Sequence, residues 1–548
     1  MKKFILLSVL LLIVIGSPIL WASITVGLIK HDFGSLDDGY VLFSPTYSTT
    51  TYLIDKCGYV VNKWDCKYRP GFSAYLLPDG NLLRTGYLAN AIFDAGGSGG
   101  IIEKLDWDGK VLWSYIISDS TQCMHHDIAP LKNGNILAIC WDYKNEIEST
   151  DMGRKPALLE NYIWSEKIIE LRPIGTDSAE IVWEWKVWDH LIQNAFPTKP
   201  NYAEISQHPE LININQVNFV SLRDWLHFNS IDYNEELDQI MLSVPNFGEI
   251  WIIDHSTSKE ESAGHSGGKY GKGGDLLYRW GNSITYGKGE ATDQELFFQH
   301  SAKWIPKGFP NENCISVFNN ARINNGNRFT SVDIVKPPLN SDGFYDSKLP
   351  YSPDKPKWSY SAENPQDFFS SVLGSAQQLS NGNMLICNGG SGIFFEIDSL
   401  KNEVWKYINP ISVLGITNQG QSTKGMNQLF RCVFYPNTYS AFNGKDLTRK
   451  GFVENNNSLS ENCSLDTTSV EDPVYNISIY PNPAMDYVKV VSELYPSKLS
   501  ILNLQGQELI IQSNSNTIST KDLQNGIYIL RLTDTSGISY YNKILITR

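Results

Sequence analysis

The sequence predicts an all-β protein, a six-bladed β-propeller followed by a small C-terminal β-sandwich. Three observations lead to this prediction. The 548-residue chain is rich in the aromatic residues that strands favour, with 15 tryptophans and 28 tyrosines. A strand–turn–strand pattern recurs along its middle part, as in repeat architectures. A polar segment then separates this part from a shorter run of alternating strands.

The chain begins with a pattern typical of an export signal over residues 1–22. Lys2 and Lys3 precede an apolar stretch at 4–15, and residues 20–22 end in the small side chain that cleavage sites favour. Pro18 and the shortness of the apolar stretch favour a cleaved signal over a membrane anchor. We therefore expect an exported protein with no transmembrane segment in its mature form.

Charge and cysteine content exclude several classes of protein. A formal net charge of -14 argues against nucleic-acid binding, which needs a basic surface. The eight cysteines suit an oxidising compartment, but their irregular spacing without a CxxC pair does not indicate a structural zinc site. Their pairing stays open, and we expect some to be buried thiols. The glycine-rich segment 264–275 lacks the phosphate-loop pattern and is interpreted as a connection between outer strands.

Three segments show the repeat most clearly. Residues 74–83, 128–137 and 376–385 each contain a strand, an Asp-Gly or Asn-Gly turn and a second strand, the turn chemistry of tight hairpins. Each continues into an outer pair of strands that contains tryptophan, at 101–116, 168–187 and 393–408. Four such strands make one propeller blade.

Three further blades complete the predicted ring over residues 23–443. One starts at His227 and ends near residues 273–282, and another starts at Gln299 and ends at 357–363. The sixth combines strands 40–45, 51–55 and 59–64 with an innermost strand, 428–435, from the other end of the domain. This closure hides the open sheet edges.

Histidines occur where the innermost strands begin. When the blades are aligned on their first turn, Phe72, His126, His300 and Gly374 share one position, and His227 joins them if its turn is one residue longer. His125 lies beside His126. Since the first strands line the central channel, these imidazoles should converge into a functional cluster. A metal site is the less favoured interpretation, because Asp127 is the one carboxylate close by in sequence. No metal and no cofactor are therefore predicted.

Five segments, 123–139, 224–243, 273–282, 297–306 and 315–320, resemble the arylsulfotransferase family in order and spacing. The resemblance covers about residues 25–440. It implies a six-bladed propeller that moves a sulfuryl group from an aryl sulfate to a phenol through a sulfohistidine, without the nucleotide donor PAPS. It further implies that His300 is the nucleophile and that His227 and Asn229, together with His126, hold the sulfate and handle the proton. Substrate-binding roles fall to Asn229, His125 and Arg322.

Two positions depart from the family pattern. Pro245 stands where relatives carry an arginine, for which Arg322, Arg328 or Lys303 could substitute, and Ser301 stands where relatives carry an acid after the histidine. An active aryl-sulfate sulfotransferase is the leading interpretation. The alternatives are a catalytically inactive propeller that binds a ligand or glycan at the cell surface, and a metal- or quinone-dependent enzyme.

The C-terminal part follows a polar segment at 444–473, which is interpreted as a linker. Residues 474–548 contain the YPNP sequence at 480–483, a hairpin at 502–509, a strand at 523–532 and the terminal Arg548. These features resemble the type A sorting domain of type IX secretion in Bacteroidota. The resemblance implies the type IX secretion machinery as a partner and a secreted or cell-surface location.

Overall fold

The computed structural model describes residues 25–217, 221–324, 326–457, 478–491, 496–503, 507–533 and 539–547. The predicted signal at 1–22 and residues 458–473 of the predicted linker lie outside these ranges. The chain divides into two compact units after Cys463.

Six antiparallel sheets, one per blade, form the first unit, as the sequence predicts. From the innermost strand outward, blade 1 contains Leu429–Pro436, Gly39–Pro45, Thr50–Asp55 and Val60–Asp65; blade 2, Pro70–Leu76, Leu82–Tyr87, Gly100–Leu105 and Val111–Ile116; blade 3, Gln122–Pro130, Ile136–Asn145, Tyr162–Ile174 and Ser178–Lys186. Blade 4 contains Ser230–Asn234, Gln239–Val244, Glu249–Asp254 and Tyr278–Trp280; blade 5, His300–Trp304, Ile315–Asn324, Asn327–Val335 and Trp358–Tyr360; blade 6, Ser375–Gln378, Met384–Asn388, Ile393–Ile397 and Glu403–Ile408.

The core lies between the blades. Six buried apolar clusters each join two neighbouring blades, and one of them joins blade 6 to blade 1. Large aromatic side chains fill these spaces between the blades, and Trp64, Trp251 and Trp405 are fully buried. Because each blade buries one face against each neighbour, the ring holds together by side-chain packing as well as by strand pairing.

The ring closes between its two chain ends. Leu429–Pro436 pairs with Gly39–Pro45, which confirms the predicted composite blade. Gly27–His31 adds an unpredicted fifth strand outside Glu403–Ile408. Buried Lys56 of blade 1 also forms a 2.5 Å ion pair with Glu396 of blade 6.

Helices are short and lie in the connections. In the described part of the chain, the α-helices are Glu146–Asp151 and Lys259–Ser262, and the 3-10 segments are Phe33–Ser35, Pro156–Leu158, Val187–His190, Ile205–Gln207, Ser283–Tyr286, Ala291–Asp293, Pro365–Phe368 and Ser440–Phe442. Two small sheets pair Leu191–Ile192 with Ile212–Asn213 and Ile411–Ser412 with Gly415–Ile416. Within the described ranges, no helix has the length and apolar character needed to cross a membrane. The glycine-rich segment connects the two outer strands of blade 4, as predicted.

The predicted linker boundary at Gly444 needs correction. Phe452 bridges to Tyr59 of blade 1, and Val453 is buried in the cluster between blades 1 and 6. Arg449 pairs with Asp55 at 2.7 Å. These contacts bury apolar surface that a linker would expose, so the propeller unit extends past residue 443.

The cysteines are mostly thiols. Cys57 is disulfide-bonded, whereas Cys66, Cys123, Cys140, Cys314, Cys387 and Cys432 are free, and all of these except Cys66 are buried. The expectation of buried thiols is confirmed.

The second unit is a small sandwich of two antiparallel sheets. One contains Ser478–Tyr480, Tyr487–Val491 and Thr517–Ser519; the other contains Glu508–Ser513, Lys498–Leu502, Gly526–Thr533 and Ser539–Ile546. Val488 and Ile518 of the first sheet share one buried cluster with Leu499, Ile501 and Leu530 of the second. The predicted β-sandwich is thus confirmed, although Thr517–Ser519 was not anticipated.

Candidate functional site

A cavity of about 370 Å³ opens at the end of the channel where the innermost strands begin. His126, His227 and His300 all line it, although they come from three blades. The other lining residues are Thr46, Phe72, Gly96, Gly97, Ser221, Asp224, Pro245, Asn246, Phe298, Ser371, Val372, Leu373 and Gln428. The volume is that of a small-molecule site.

The backbone at this end of the channel adopts left-handed conformations. The φ angles are +91° at Phe72, +51° at His126, +60° at His227 and +62° at Leu373. Such values are uncommon for residues other than glycine and concentrate at functional sites. Gly97 covers His126 so closely that a Cβ there would lie 1.8 Å from the imidazole Cε1. Glycine is therefore required where the loop crosses this ring.

Asn320 fixes the tautomer of His300. The amide nitrogen of Asn320 donates to the carbonyls of Ser370 at 2.9 Å and Leu373 at 2.8 Å, so its Oδ1 faces Nδ1 of His300 at 2.8 Å. Because this oxygen can only accept, Nδ1 carries the hydrogen and Nε2 carries the lone pair. The Leu373 N–H reaches Nε2 only at 3.3 Å. Burial lowers the pKa of His300 to about 4, so the ring is neutral at physiological pH.

His227 has the opposite charge preference. Its Nδ1 lies 2.5 Å from Oδ2 of Asp224, and its side chain is 23% exposed. Although burial acts to lower it, the charge and hydrogen bond of Asp224 raise the pKa of His227 above its usual value. No described residue hydrogen-bonds to Nε2 of this ring. His227 can therefore present a proton to the cavity next to a neutral His300.

His126 lies at the cavity end of a buried chain of hydrogen bonds. Its Nδ1 lies 2.9 Å from Nδ1 of His125, whose Nε2 lies 2.8 Å from Oε2 of Glu166. Burial, together with the charge of Asp224, raises the pKa of Glu166 well above its usual range. When Glu166 is protonated, it donates to His125, which donates to His126, and Nε2 of His126 keeps its hydrogen. When Glu166 is ionised, the donors reverse and that Nε2 becomes an acceptor.

Phe430 forms the floor of the cluster. Its ring centroid lies 5.9 Å from that of His126 and 6.3 Å from that of His300. The guanidinium of Arg431 lies 4.4 Å from the Phe430 ring and pairs with buried Asp127 at 2.8 Å. Burial first, then the charge of His227 and to a smaller extent that of Arg431, lowers the pKa of His126 and His300. Asp127 thus pairs with Arg431 rather than with the cavity histidines.

Several residues with a predicted role lie away from the cavity. Asn229 is fully buried and donates to the carbonyl of Gln299 at 2.7 Å, and His125 lies behind His126 with no exposed surface. Arg322 is held by Glu295 at 2.8 Å and Asp333 at 3.4 Å on blade 5. The position of Arg322 does not support the predicted contact with substrate.

The residues considered as substitutes for the family arginine also lie elsewhere. Lys303 and Ser301 line a separate cavity, and Arg328 is exposed. Pro245 does line the histidine cavity, whose described lining contains no lysine or arginine. Ser301 is not the residue that orients His300, because Asn320 does so.

Four important residues were missed from the sequence. Asp224 could have been found, since it precedes His227 by three residues in the same segment, and Asn320 ends another of the matching segments. Glu166 and Phe430 gave no comparable signal, because each reaches the histidines from a strand far away in sequence.

Comparisons with known proteins agree with this architecture. A family model described as Arylsulfotransferase (ASST) matches residues 30–424, and one described as a secretion system C-terminal sorting domain matches residues 478–547. The sorting domain indicates export, with a surface or secreted location. No curated protein matches the sequence.

Similar solved structures are distant in sequence. A protein of unknown function from Bacteroides caccae is 13% identical with a TM-score of 0.38, covering 72% of this chain and 98% of its own. The β-propeller domain of Cps50 (Swd1) from Myceliophteria thermophila is 10% identical at TM-score 0.35, covering 70% and 86%. A catalytically inactive virginiamycin B lyase from Staphylococcus aureus is 10% identical at TM-score 0.32, covering 70% and 88%.

Proposed function

Because the chain belongs to the arylsulfotransferase family, we propose that it transfers a sulfuryl group from an aryl sulfate to a phenolic acceptor through a sulfohistidine at His300, without PAPS. One observation carries the choice of His300. Its ring is neutral, its Nδ1 hydrogen is held by Asn320, and its Nε2 lone pair belongs to a residue that lines the cavity. A neutral imidazole with one fixed tautomer is a ready nucleophile.

In the first half-reaction, Nε2 of His300 attacks the sulfur of the donor. The bond between sulfur and the aryl oxygen breaks, and its electron pair leaves with the phenolate. His227, whose pKa is raised, donates its Nε2 proton to that oxygen. The product phenol departs, and the enzyme retains the sulfuryl group on His300.

The neutral amide of Asn320 suits the intermediate. Sulfonation of Nε2 makes the ring a cation, because Nδ1 keeps its hydrogen. A carboxylate at this position would draw that proton away, whereas the amide oxygen accepts the hydrogen bond and leaves the proton on the ring. The ring then remains a good leaving group for the second transfer.

In the second half-reaction, the oxygen of the acceptor phenol attacks the sulfur. Its proton passes to His227, now neutral, and the electron pair of the nitrogen–sulfur bond returns to Nε2 of His300. The enzyme regains its starting protonation. Group transfer in two steps through one cavity predicts ping-pong kinetics.

The sulfuryl oxygens need donors in place of the missing arginine. Protonated His227 supplies positive charge, and His126 supplies an Nε2 hydrogen when Glu166 is protonated. A bound anion favours that proton arrangement, since it stabilises the donor form of His126. His126 is thus proposed as a sulfate-binding residue, with His125 and Glu166 positioning it.

The absence of lysine and arginine from the described lining, with Pro245 in the cavity wall, supports a second candidate function. In this candidate the propeller binds an aromatic ligand or glycan at the cell surface without turnover. The two candidates differ in one measurable event, the formation of a covalent sulfo-enzyme.

The experiment mixes the purified protein with a nitrophenyl sulfate donor and no acceptor, followed by peptide mass measurement. We expect a burst of nitrophenol equal to the enzyme concentration and one sulfuryl group on the His300 peptide. His300→Gln should lose both signals, while His208→Gln, at a half-exposed histidine outside the cavity, should keep them. Ligand binding without any burst would instead support the inactive propeller.

A further inference from the structure

Outside the central cavity, a second histidine-containing cluster has side chains that can bind a metal ion, and it lies on the outer part of the propeller. Nδ1 of His190 and Nδ1 of His265 each lie 2.8 Å from Oδ1 of Asp275. The three potential ligand atoms all lie within 4.8 Å of one another. We propose that His190, His265 and Asp275 bind a Zn²⁺ ion, with water as the fourth ligand. Two imidazoles and a carboxylate are a ligand set that suits zinc.

The hydrogen bonds of His190 support a metal rather than a simple network. Its Nε2 faces the carbonyl of Ser262 at 2.9 Å, and its Nδ1 faces the carboxylate of Asp275. Because the carbonyl can only accept, the neutral tautomer of this fully buried ring has its hydrogen on Nε2 and its lone pair on Nδ1, facing Asp275. With a metal on Nδ1, the ring is neutral and Nε2–H donates to the carbonyl. This is the arrangement in which metal-bound histidines are usually oriented.

The ligand atoms would have to shift on binding. Tetrahedral zinc with bonds of about 2.0–2.1 Å separates its ligand atoms by about 3.3 Å. The 2.8 Å separations from Asp275 therefore have to open by roughly half an ångström on binding. The His265 side chain is 62% exposed, whereas those of His190 and Asp275 are 0% and 8% exposed. The ion would therefore have two buried ligands and one ligand that admits it from solvent.

The surrounding backbone is built closely around His190. Trp185 stacks on the imidazole at a centroid distance of 5.6 Å and donates to the carbonyl of Gly274 at 2.7 Å. A Cβ on Gly274 would lie 2.6 Å from Nε2 of His190 and 2.0 Å from the Ser262 carbonyl. Only glycine permits this approach, which holds His190 in place before any ion binds.

The position of the ligands indicates what the ion would do. His265 and Asp275 are the second and last residues of the glycine-rich segment 264–275 in blade 4, while His190 follows the outer strand of blade 3. A shared ion would therefore fasten this long connection to the neighbouring blade. This role is structural and does not depend on sulfuryl transfer in the central cavity.

The test uses untagged full-length protein, treated with chelator and then titrated with Zn²⁺ and, separately, with Co²⁺. We expect one ion per chain, a rise in melting temperature with Zn²⁺, and the intense visible absorption of tetrahedral Co²⁺. His265→Ala should weaken binding at least about tenfold, as second-sphere losses already do at known sites. The matched control His208→Ala, at a half-exposed histidine outside the cluster, should bind like the unmodified protein.

Two outcomes would overturn the proposal. One is no stoichiometric binding by the unmodified protein, which would leave a hydrogen-bonded network of the three side chains. The other is equal binding by the His265→Ala and His208→Ala variants, which would place the ion elsewhere.

Discussion

Asn320 and His300 form a directed pair, in which Nδ1 of the imidazole donates to the amide oxygen at 2.8 Å. The direction of this hydrogen bond is fixed because the amide nitrogen of Asn320 already donates to two backbone carbonyls, so the amide oxygen faces the imidazole. The residue next to His300 in sequence, Ser301, takes no part in this. The presence of Ser301, where relatives carry an acid, therefore leaves the orientation of the His300 ring unchanged.

Asn320→Ala should impair turnover much more than folding. Loss of the acceptor allows the ring to rotate and to place its hydrogen on Nε2, where it blocks attack. We expect kcat to fall by about 10- to 100-fold, with a smaller change in KM. Steady-state kinetics with a nitrophenyl sulfate and phenol measure this.

Asn319→Ala is the matched control for that variant. Asn319 is equally buried and hydrogen-bonded, but its amide contacts Glu295, Asp333 and the Phe297 backbone instead of His300. It should lose similar stability and keep its kcat. Equal losses of kcat in both variants would show that the Asn320 effect is general destabilisation.

Asp224→Asn should make the transfer rate depend more strongly on the acidity of the phenol that leaves the donor. Without the carboxylate, the pKa of His227 falls, so less of the proton donor is present at neutral pH. Donors that release a weakly acidic phenol should slow by about 100-fold, while nitrophenyl donors, whose phenolate leaves unaided, should slow far less.

The pH dependence of the transfer rate tests the same role of His227 independently. Activity that needs protonated His227 is lost as pH rises through the raised pKa, so Asp224→Asn should move the alkaline limb to lower pH. Glu103→Gln, at a buried carboxylate paired with Arg84 in blade 2, should leave the profile unchanged. An unmoved limb in Asp224→Asn would exclude His227 as the acid.

His300 should make the protein acid-sensitive. Its folded pKa of about 4 lies below the ordinary 6.5, so the unfolded chain takes up the proton first as pH falls. The stability it contributes is complete above pH 6.5 and is lost as pH falls toward 4. The loss amounts to about 3 kcal/mol for a shift of this size.

Urea unfolding at neutral and acid pH measures that loss. His300→Gln should lose about 3 kcal/mol less than the unmodified protein between these conditions, because it lacks the group that titrates. His208→Gln is the control at an exposed site. Parallel pH dependence in all three proteins would contradict the lowered pKa.

Glu396→Gln should weaken ring closure. Lys56 is only 4% exposed and Glu396 is 0% exposed, so removing the carboxylate leaves a buried ammonium between blades 1 and 6. We expect a loss of about 3–5 kcal/mol in the free energy of unfolding. The exposed pair of Lys307 and Glu236 is the control, where Glu236→Gln should lose far less stability because water screens both charges.

Local pattern was enough to predict most of the fold. The Asp-Gly and Asn-Gly turns located three blades, and the aromatic outer strands completed the count. The strand Gly27–His31 and the docking of residues 449–455 were missed, because both depend on an edge or groove supplied by residues hundreds of positions away. Local periodicity contains no information about such partners.

The sequence by itself determined the propeller, the sandwich and the identity of the three cavity histidines, since strand period, turn chemistry and position in the repeat are local properties. Only the tertiary structure decided their protonation. The pKa of His227 is raised because Asp224 touches its ring, and the hydrogen of His300 is held on Nδ1 because Asn320 touches the other ring. The pKa of an imidazole depends on burial and on neighbours within a few ångströms, and those neighbours are brought together only when the ring closes.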